Sequence, residues 1–253
     1  LINLMYQEYR PSIVLLPYIE TYWTFDSFIE GEQTVRILPD GCVDILLNCN
    51  DTISNNGMSP FHPYIVGTMT SYSDILYTRC MKMVGVRFKP GGITAFINVP
   101  IHELTNQRID MSLLESIFDN TLFCDNIAIR NDVREVVNYI DSYLTGKLNR
   151  ITIPDKQIMA AVDTIKYHKG CLPIKEVLEE VCLCQRQFER KFKSVIGITP
   201  KVFSSVVRFQ NAQEVLQQHP EQSVFLTAID CGYYDHAHFI REFKRFTGGS
   251  PKD

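Results

Sequence analysis

The 253 residues carry 25 Lys and Arg against 29 Asp and Glu, and 45% of them are hydrophobic. No apolar run approaches the roughly 20 residues a membrane-spanning helix needs, so composition excludes that class, and length allows two cores. A formal net charge of −4 gives the whole chain no general attraction to nucleic acid, so such a partner would need a local basic patch.

The opening stretch LINLMYQEYRPS lacks the basic segment and long apolar core of a secretory signal, which predicts a cytoplasmic protein. Eight cysteines are scattered through apolar sequence without a C-x-x-C pair and read as reduced thiols. Strand-like runs then dominate to about Phe88: YIETYWTF at 18–25, CVDILLNC at 42–49, YIVGTM at 64–69 and KMVGVRFK at 82–89. Pro39-Asp40-Gly41, Asn55-Asn56-Gly57 and Pro90-Gly91-Gly92 mark turns around them. The pattern predicts an antiparallel β domain over residues 1–103, closing as a small barrel. Tyr22, Trp23, Asp44 and Arg87 are the strand residues that could line an effector pocket. Their plainer reading is a core tryptophan and an Asp44–Arg87 pair that is buried or simply superficial.

A metal inside such a barrel would need several histidines and a carboxylate. This half offers His62 and His102, far apart and both beside turns. No nucleophile-base constellation stands out either. The expectation is a protein with no metal or other cofactor and no enzymatic activity.

From Leu104 the apolar period becomes helical. In DVREVVNYIDSYL, Val133, Val136, Val137, Ile140 and Leu144 share one stripe. Region 104–153 therefore reads as helices that either pack on the β domain or form a homodimer interface, with a linker over 144–156.

The remaining stretch, 154–253, is different in charge: from Asp155 onward 14 Lys and Arg face 12 Asp and Glu. Its basic residues gather in two islands, Arg186 to Lys193 and Arg241 to Arg245. QFERKFKSVIGITP (187–200) aligns without a gap over HFIREFKRFTGGSP (238–251), at an offset of 51 residues. Phe188 falls on Phe239, Arg190 on Arg241, Lys193 on Lys244 and Gly197 on Gly248. Each copy is an amphipathic helix whose phenylalanines go inward. Arg186, Glu189, Arg190 and Lys193 form the outer stripe of the first; Ala237, Ile240, Arg241 and Lys244, with His236 at the N-terminal end, form that of the second. His236-Ala237-His238 follows an N-cap aspartate, Asp235, and the two histidines would point to nearly opposite sides of a helix, which disfavours a metal pair. A short apolar helix and a tight turn precede each copy, which is a helix-turn-helix signature. Gly232 serves the second turn, whereas the first has only Cys182-Leu-Cys184. Thr199-Pro200 starts a long helix running to about His219-Pro220 that would join the two units.

QRQFERKFKSVIGITPKVFSSVVRFQNAQEVL and TAIDCGYYDHAHFIREFKRFTGGSPKD resemble the tandem helix-turn-helix domain of AraC-type bacterial transcription regulators, over about 95 residues. RILPDGCVDILLN and VGVRFKPGGITAFINVPIHELTN resemble the amino-terminal halves of a branch of that family with a cupin-like sensor domain. The resemblance implies an α+β chain with an N-terminal antiparallel β barrel and a C-terminal all-α tandem helix-turn-helix domain. Both recognition helices would then enter successive major-groove segments of promoter DNA. Its implied partners are double-stranded DNA, RNA polymerase, a small-molecule effector and a second copy of the chain. The family usually has Gln and Ser where His236 and Ala237 stand, so base contact there would differ. His238 would touch phosphate or pack beside Phe239. Arg190 and Arg241 suit guanine edges, and Lys193 and Lys244 suit phosphate. The alternative from another class is a thiol sensor using a reactive cysteine such as Cys80, beside Arg79 and Lys82, or Cys42.

Overall fold

The computed structural model describes residues 3–114, 118 and 120–251; the side chains of 3–5, 28–31, 77–80, 120 and 150 lie outside that description, Cys80 among them. Six strands come first: β1 (Asn3–Tyr9), β2 (Ile19–Ile37), β3 (Val43–Asn48), β4 (Pro63–Val66), β5 (Ser73–Phe88) and β6 (Arg108–Asp110). They form one antiparallel sheet in the order β1-β2-β5-β3-β4-β6. Alternation along the strands decides its two faces. Tyr22, Val84, Val86 and Phe88 enter the main core. Trp23, Phe25 and Met83 face the other way, into a smaller cluster with Met58 and Tyr64.

The expected barrel is not formed; the sheet is open. Closure needs the two edge strands to pair along comparable lengths. Among the described residues, β6 has three residues and pairs only β4, while β1 pairs only β2. Beyond a register shift between Phe28 and Glu32, residues 32–37 of β2 pair with 73–78 of β5 and with no other strand among the described residues. The long strands thus leave the sheet as a two-stranded ribbon. At the centre, Gly85 lies opposite Trp23, and a Cβ there would sit 2.0 Å from the indole, so the ring requires glycine as its neighbour.

Eight helices follow among the described residues: α1 (Asn120–Ala128), α2 (Val133–Gly146), α3 (Lys156–Tyr167), α4 (Ile174–Val181), α5 (Gln185–Ile196), α6 (Pro200–Gln218), α7 (Val224–Asp230) and α8 (His236–Thr247). The α2 stripe predicted from sequence is buried in the chain's own core, with Val136, Val137, Ile140 and Leu144 packed beside the sheet residues. It is therefore not available as a dimer surface. Helices α3 to α8 share a second core built on Phe188, Phe192, Phe203, Phe209, Phe239 and Phe246, all fully buried. Burying each such ring stabilises the fold by about 1.5–3 kcal/mol. Among the described residues no helix is long and apolar enough to cross a membrane.

Candidate DNA interface and its supports

Helices α5 and α8 are built alike from their sequences. In α5, Phe188, Phe192 and Ile196 go inward at i, i+4, i+8, and the helix stops at Gly197, whose φ is 96°. In α8, Phe239, Phe243 and Phe246 go inward, and Gly248 stops it with φ 75°. The Asp235 side chain caps α8 by accepting from the His238 backbone N–H at 2.6 Å. The turn before α8 is left-handed at Gly232 (φ 73°), and the turn before α5 takes the same step at Cys182 (φ 53°). A cysteine there costs about 1–2 kcal/mol relative to an ordinary backbone conformation. Glycine is missing from the first turn, but the geometry it would supply is present.

On the outer faces, Arg186, Glu189, Arg190 and Lys193 of α5 are all exposed, as are His236, Ala237, Arg241 and Lys244 of α8. Glu189 accepts from the Gln185 side chain at 3.0 Å, one turn back. His238 departs from this group. It is half-buried, its ring is 5.5 Å from that of Tyr233, and its Nε2 is 3.6 Å from Glu242 Oε1. Glu242 in turn lies 4.0 Å from Arg208 of α6, whose guanidinium covers the Tyr233 ring. His238 thus belongs to the polar contact between α8 and α6.

The connecting helix α6 starts as its sequence predicts, with the Thr199 hydroxyl accepting from Val202 N–H and Pro200 in the first turn. Its 19 residues span about 28 Å, close to one turn of B-DNA at about 34 Å. The N-terminus of α3 is tied to α5 by Asp155. One of its oxygens accepts from the N–H groups of Gln157 and Ile158, and the other from Lys191 Nζ at 2.9 Å. Burial pushes the Asp155 carboxyl up, but Lys191 and the two N–H groups outweigh it and hold it below the usual carboxylate range.

Sequence reasoning missed how the sheet domain touches both candidate recognition helices at their C-terminal ends. Helix C-termini leave backbone carbonyls without intrahelical partners. Thr68 donates its hydroxyl to the Ile196 carbonyl at 2.6 Å, and Thr105 donates to Gly197 at 2.8 Å. A Cβ on Gly197 would meet Thr68, Ile101 and Thr105 at 3.0–3.2 Å, so this glycine also permits the close approach. At the other unit, Arg36 of the ribbon donates to the Thr247 carbonyl at 2.7 Å. Two bonds to Asp74, each 2.7 Å, and the Tyr72 ring 4.1 Å away hold the guanidinium in place. No local pattern around Arg36, Thr68 or Thr105 marks them, because their partners lie 92 to 211 residues away.

The four candidate effector residues do not converge. Tyr22 points into the main core and Trp23 into the opposite cluster. Asp44 and Arg87 do meet, through two bonds of 3.2 Å, and Asp40 stands 3.4 Å from the same guanidinium. Burial pushes the Asp44 carboxyl up, Arg87 opposes that, and Asp40 adds to it. Arg87 and Asp40 line a cavity of about 450 Å³ closed on one side by Lys166 of α3 and Gln210 of α6. Cys42, in its wall, is buried and donates to Glu20 Oε2 at 3.4 Å. Burial, then Asp40 and Glu20, push that thiol well above its ordinary range, the opposite of what a reactive cysteine needs. Among the described residues no group of three or more His, Cys, Asp or Glu is placed to hold a metal ion.

Two family models match the chain: residues 177–253 match one described as a helix-turn-helix domain, and residues 7–110 match a domain of unknown function, DUF6597. Among curated proteins, an uncharacterized HTH-type transcriptional regulator of Haemophilus influenzae is 36% identical over 78 residues, covering 31% of this chain and 26% of that protein. The HTH-type transcriptional activator RhaS of Klebsiella pneumoniae is 34% identical over 79 residues, covering 31% and 28%. The HTH-type transcriptional regulator ArgR of Pseudomonas aeruginosa is 28% identical over 82 residues, covering 32% and 25%. The chain thus spans about a quarter of the length of these relatives. Among solved structures, ToxT of Vibrio cholerae aligns over 99% of this chain and 96% of its own, at 9% identity and a TM-score of 0.43.

Proposed function

We propose, from the match of residues 177–253 to a helix-turn-helix domain and the resemblance of their sequence to AraC-type regulators, that the chain is a sequence-specific transcription regulator controlled through its sheet domain. The observation that carries this reading is the equivalence of α5 and α8. Both present arginine and lysine at aligned, exposed positions, and both are anchored from behind by buried phenylalanines. Arg190 and Arg241 would read guanine edges with their planar forks, while Lys193 and Lys244 contact phosphate. Arg186, Glu189, His236 and Ala237 complete the two groove-facing sets. His238 acts from behind, by fixing α8 on α6.

The sheet domain supplies the control. Because it holds the carbonyl ends of both helices, a small molecule that shifts the sheet would change how the two helices sit against DNA. Promoter DNA, RNA polymerase and a second copy of the chain are partners in this reading, in the cytoplasm; the reading assigns no catalytic role. Arg190→Ala and Arg241→Ala should each weaken binding to the cognate site by about 1–3 kcal/mol, and each should relax selectivity only in its own half. Fluorescence anisotropy on sites permuted half by half would measure this. Unchanged affinity in both variants would sink the proposal.

A further inference from the structure

The cavity around Arg87 has a charge pattern that selects among ligands. Six charged groups surround it: Arg10, Arg87 and Lys166 against Glu8, Glu20 and Asp40. Arg87 is already shared between Asp44, which it meets through two bonds, and Asp40. Arg10 and Lys166 are exposed and, among the described residues, make no ion pair. Among the described residues, Glu8 accepts from the Tyr6 hydroxyl and Glu20 from the Cys42 thiol, and neither carboxylate there is paired with a cation. A lone anion entering this space would meet three carboxylates, and a lone cation would meet three basic groups. An apolar molecule would strip water from all of them without return. A solute carrying both charges can answer both sets at once, and the volume is in the range of small-molecule sites.

We propose that this cavity binds a small zwitterion of free amino acid or dipeptide size, its carboxylate toward Lys166 and Arg10 and its ammonium toward Glu20 and Glu8. This rests on the regulator reading above and gives its effector a chemical class. The position supplies the coupling. The acidic groups belong to the sheet domain, whereas Lys166 and Gln210 belong to helices α3 and α6 of the DNA-binding half. A bound zwitterion therefore adds a bond between the two halves that is absent without it.

The test is calorimetric titration of the full chain, without DNA, against the standard free amino acids and Gly-Gly. Each binder is then compared with its N-acetyl and its amide form, and acetate and methylammonium serve as single-charge controls. At least one zwitterion should bind, and blocking either end should remove most of the affinity. Lys166→Gln and Glu20→Gln, both at exposed positions, should each weaken binding at least about tenfold, the scale of a charged hydrogen bond. The inference is overturned if no zwitterion binds, if a blocked form binds equally well, or if either substitution leaves Kd unchanged. Promoter binding measured without any zwitterion judges the regulator reading separately. DNA binding with an empty titration rejects the zwitterion site alone, and zwitterion binding without DNA binding rejects the regulator alone.

Discussion

Asp155 shows how much one side chain can carry. One oxygen caps α3 and the other holds Lys191 of α5, so the residue links the first helix of the DNA-binding half to a candidate recognition helix. Replacing it with Ala should cost about 1 kcal/mol for the lost cap alone. The pH dependence has a definite sign. Its folded-state carboxyl is held below the unfolded value, which is near 4, so its stabilisation is present above that value. It is lost as pH falls through the lower folded-state value. Urea melts of the parent and Asp155→Ala should therefore differ at neutral pH and draw together as the carboxyl protonates in acid; a gap that does not shrink on acidification would contradict the assignment. Asp235 was legible as an N-cap from its place before a phenylalanine stripe, and the structure bears it out. Nothing adjacent to Asp155 in sequence announces Lys191, because the pair is made only when α3 and α5 pack.

At the scale of elements, what was legible followed from periodicity. The phenylalanine stripes of α5 and α8, the cap and proline of α6 and the inward face of α2 all repeat locally, and all are present. The open sheet was not legible. Alternation tells which side chains share a face but not which strands are edges, and β1 and the ribbon halves of β2 and β5 carry polar residues that weaken even that signal. The contacts between sheet and recognition helices were equally silent, being single hydroxyls or one guanidinium on backbone carbonyls. They lead to a definite expectation. Thr68→Val keeps the shape but strands the Ile196 carbonyl at a buried site, so it should cost about 1–3 kcal/mol, whereas an exposed threonine changed likewise should cost little. Thermal melts of the full chain would measure it. No destabilisation would mean that the hydroxyl does not hold α5.

At the scale of the whole molecule, the DNA-binding half has its own core, running from Ile158 to Phe246, and among the described hydrophobic side chains packed on it only Leu38 comes from the sheet domain. The halves touch instead through carbonyl contacts and close approaches such as Phe203 against Gly41. A fragment covering 154–253 should then fold cooperatively by itself. Its freed helix-end carbonyls would be taken over by water, so its stability should fall short of its stability within the full chain by only about 2 kcal/mol. It should bind the same DNA site with the same base preferences, since every groove-facing residue lies inside it. What it should lose is any response to a small molecule, and its affinity should be matched by a full chain in which Thr68, Thr105 and Arg36 no longer hold the helix ends. Circular dichroism melts and anisotropy titrations of the fragment, the parent and that triple variant would decide. A fragment without a cooperative transition, or one that reads a different site, would mean that the sheet domain is part of the DNA-binding fold rather than its controller.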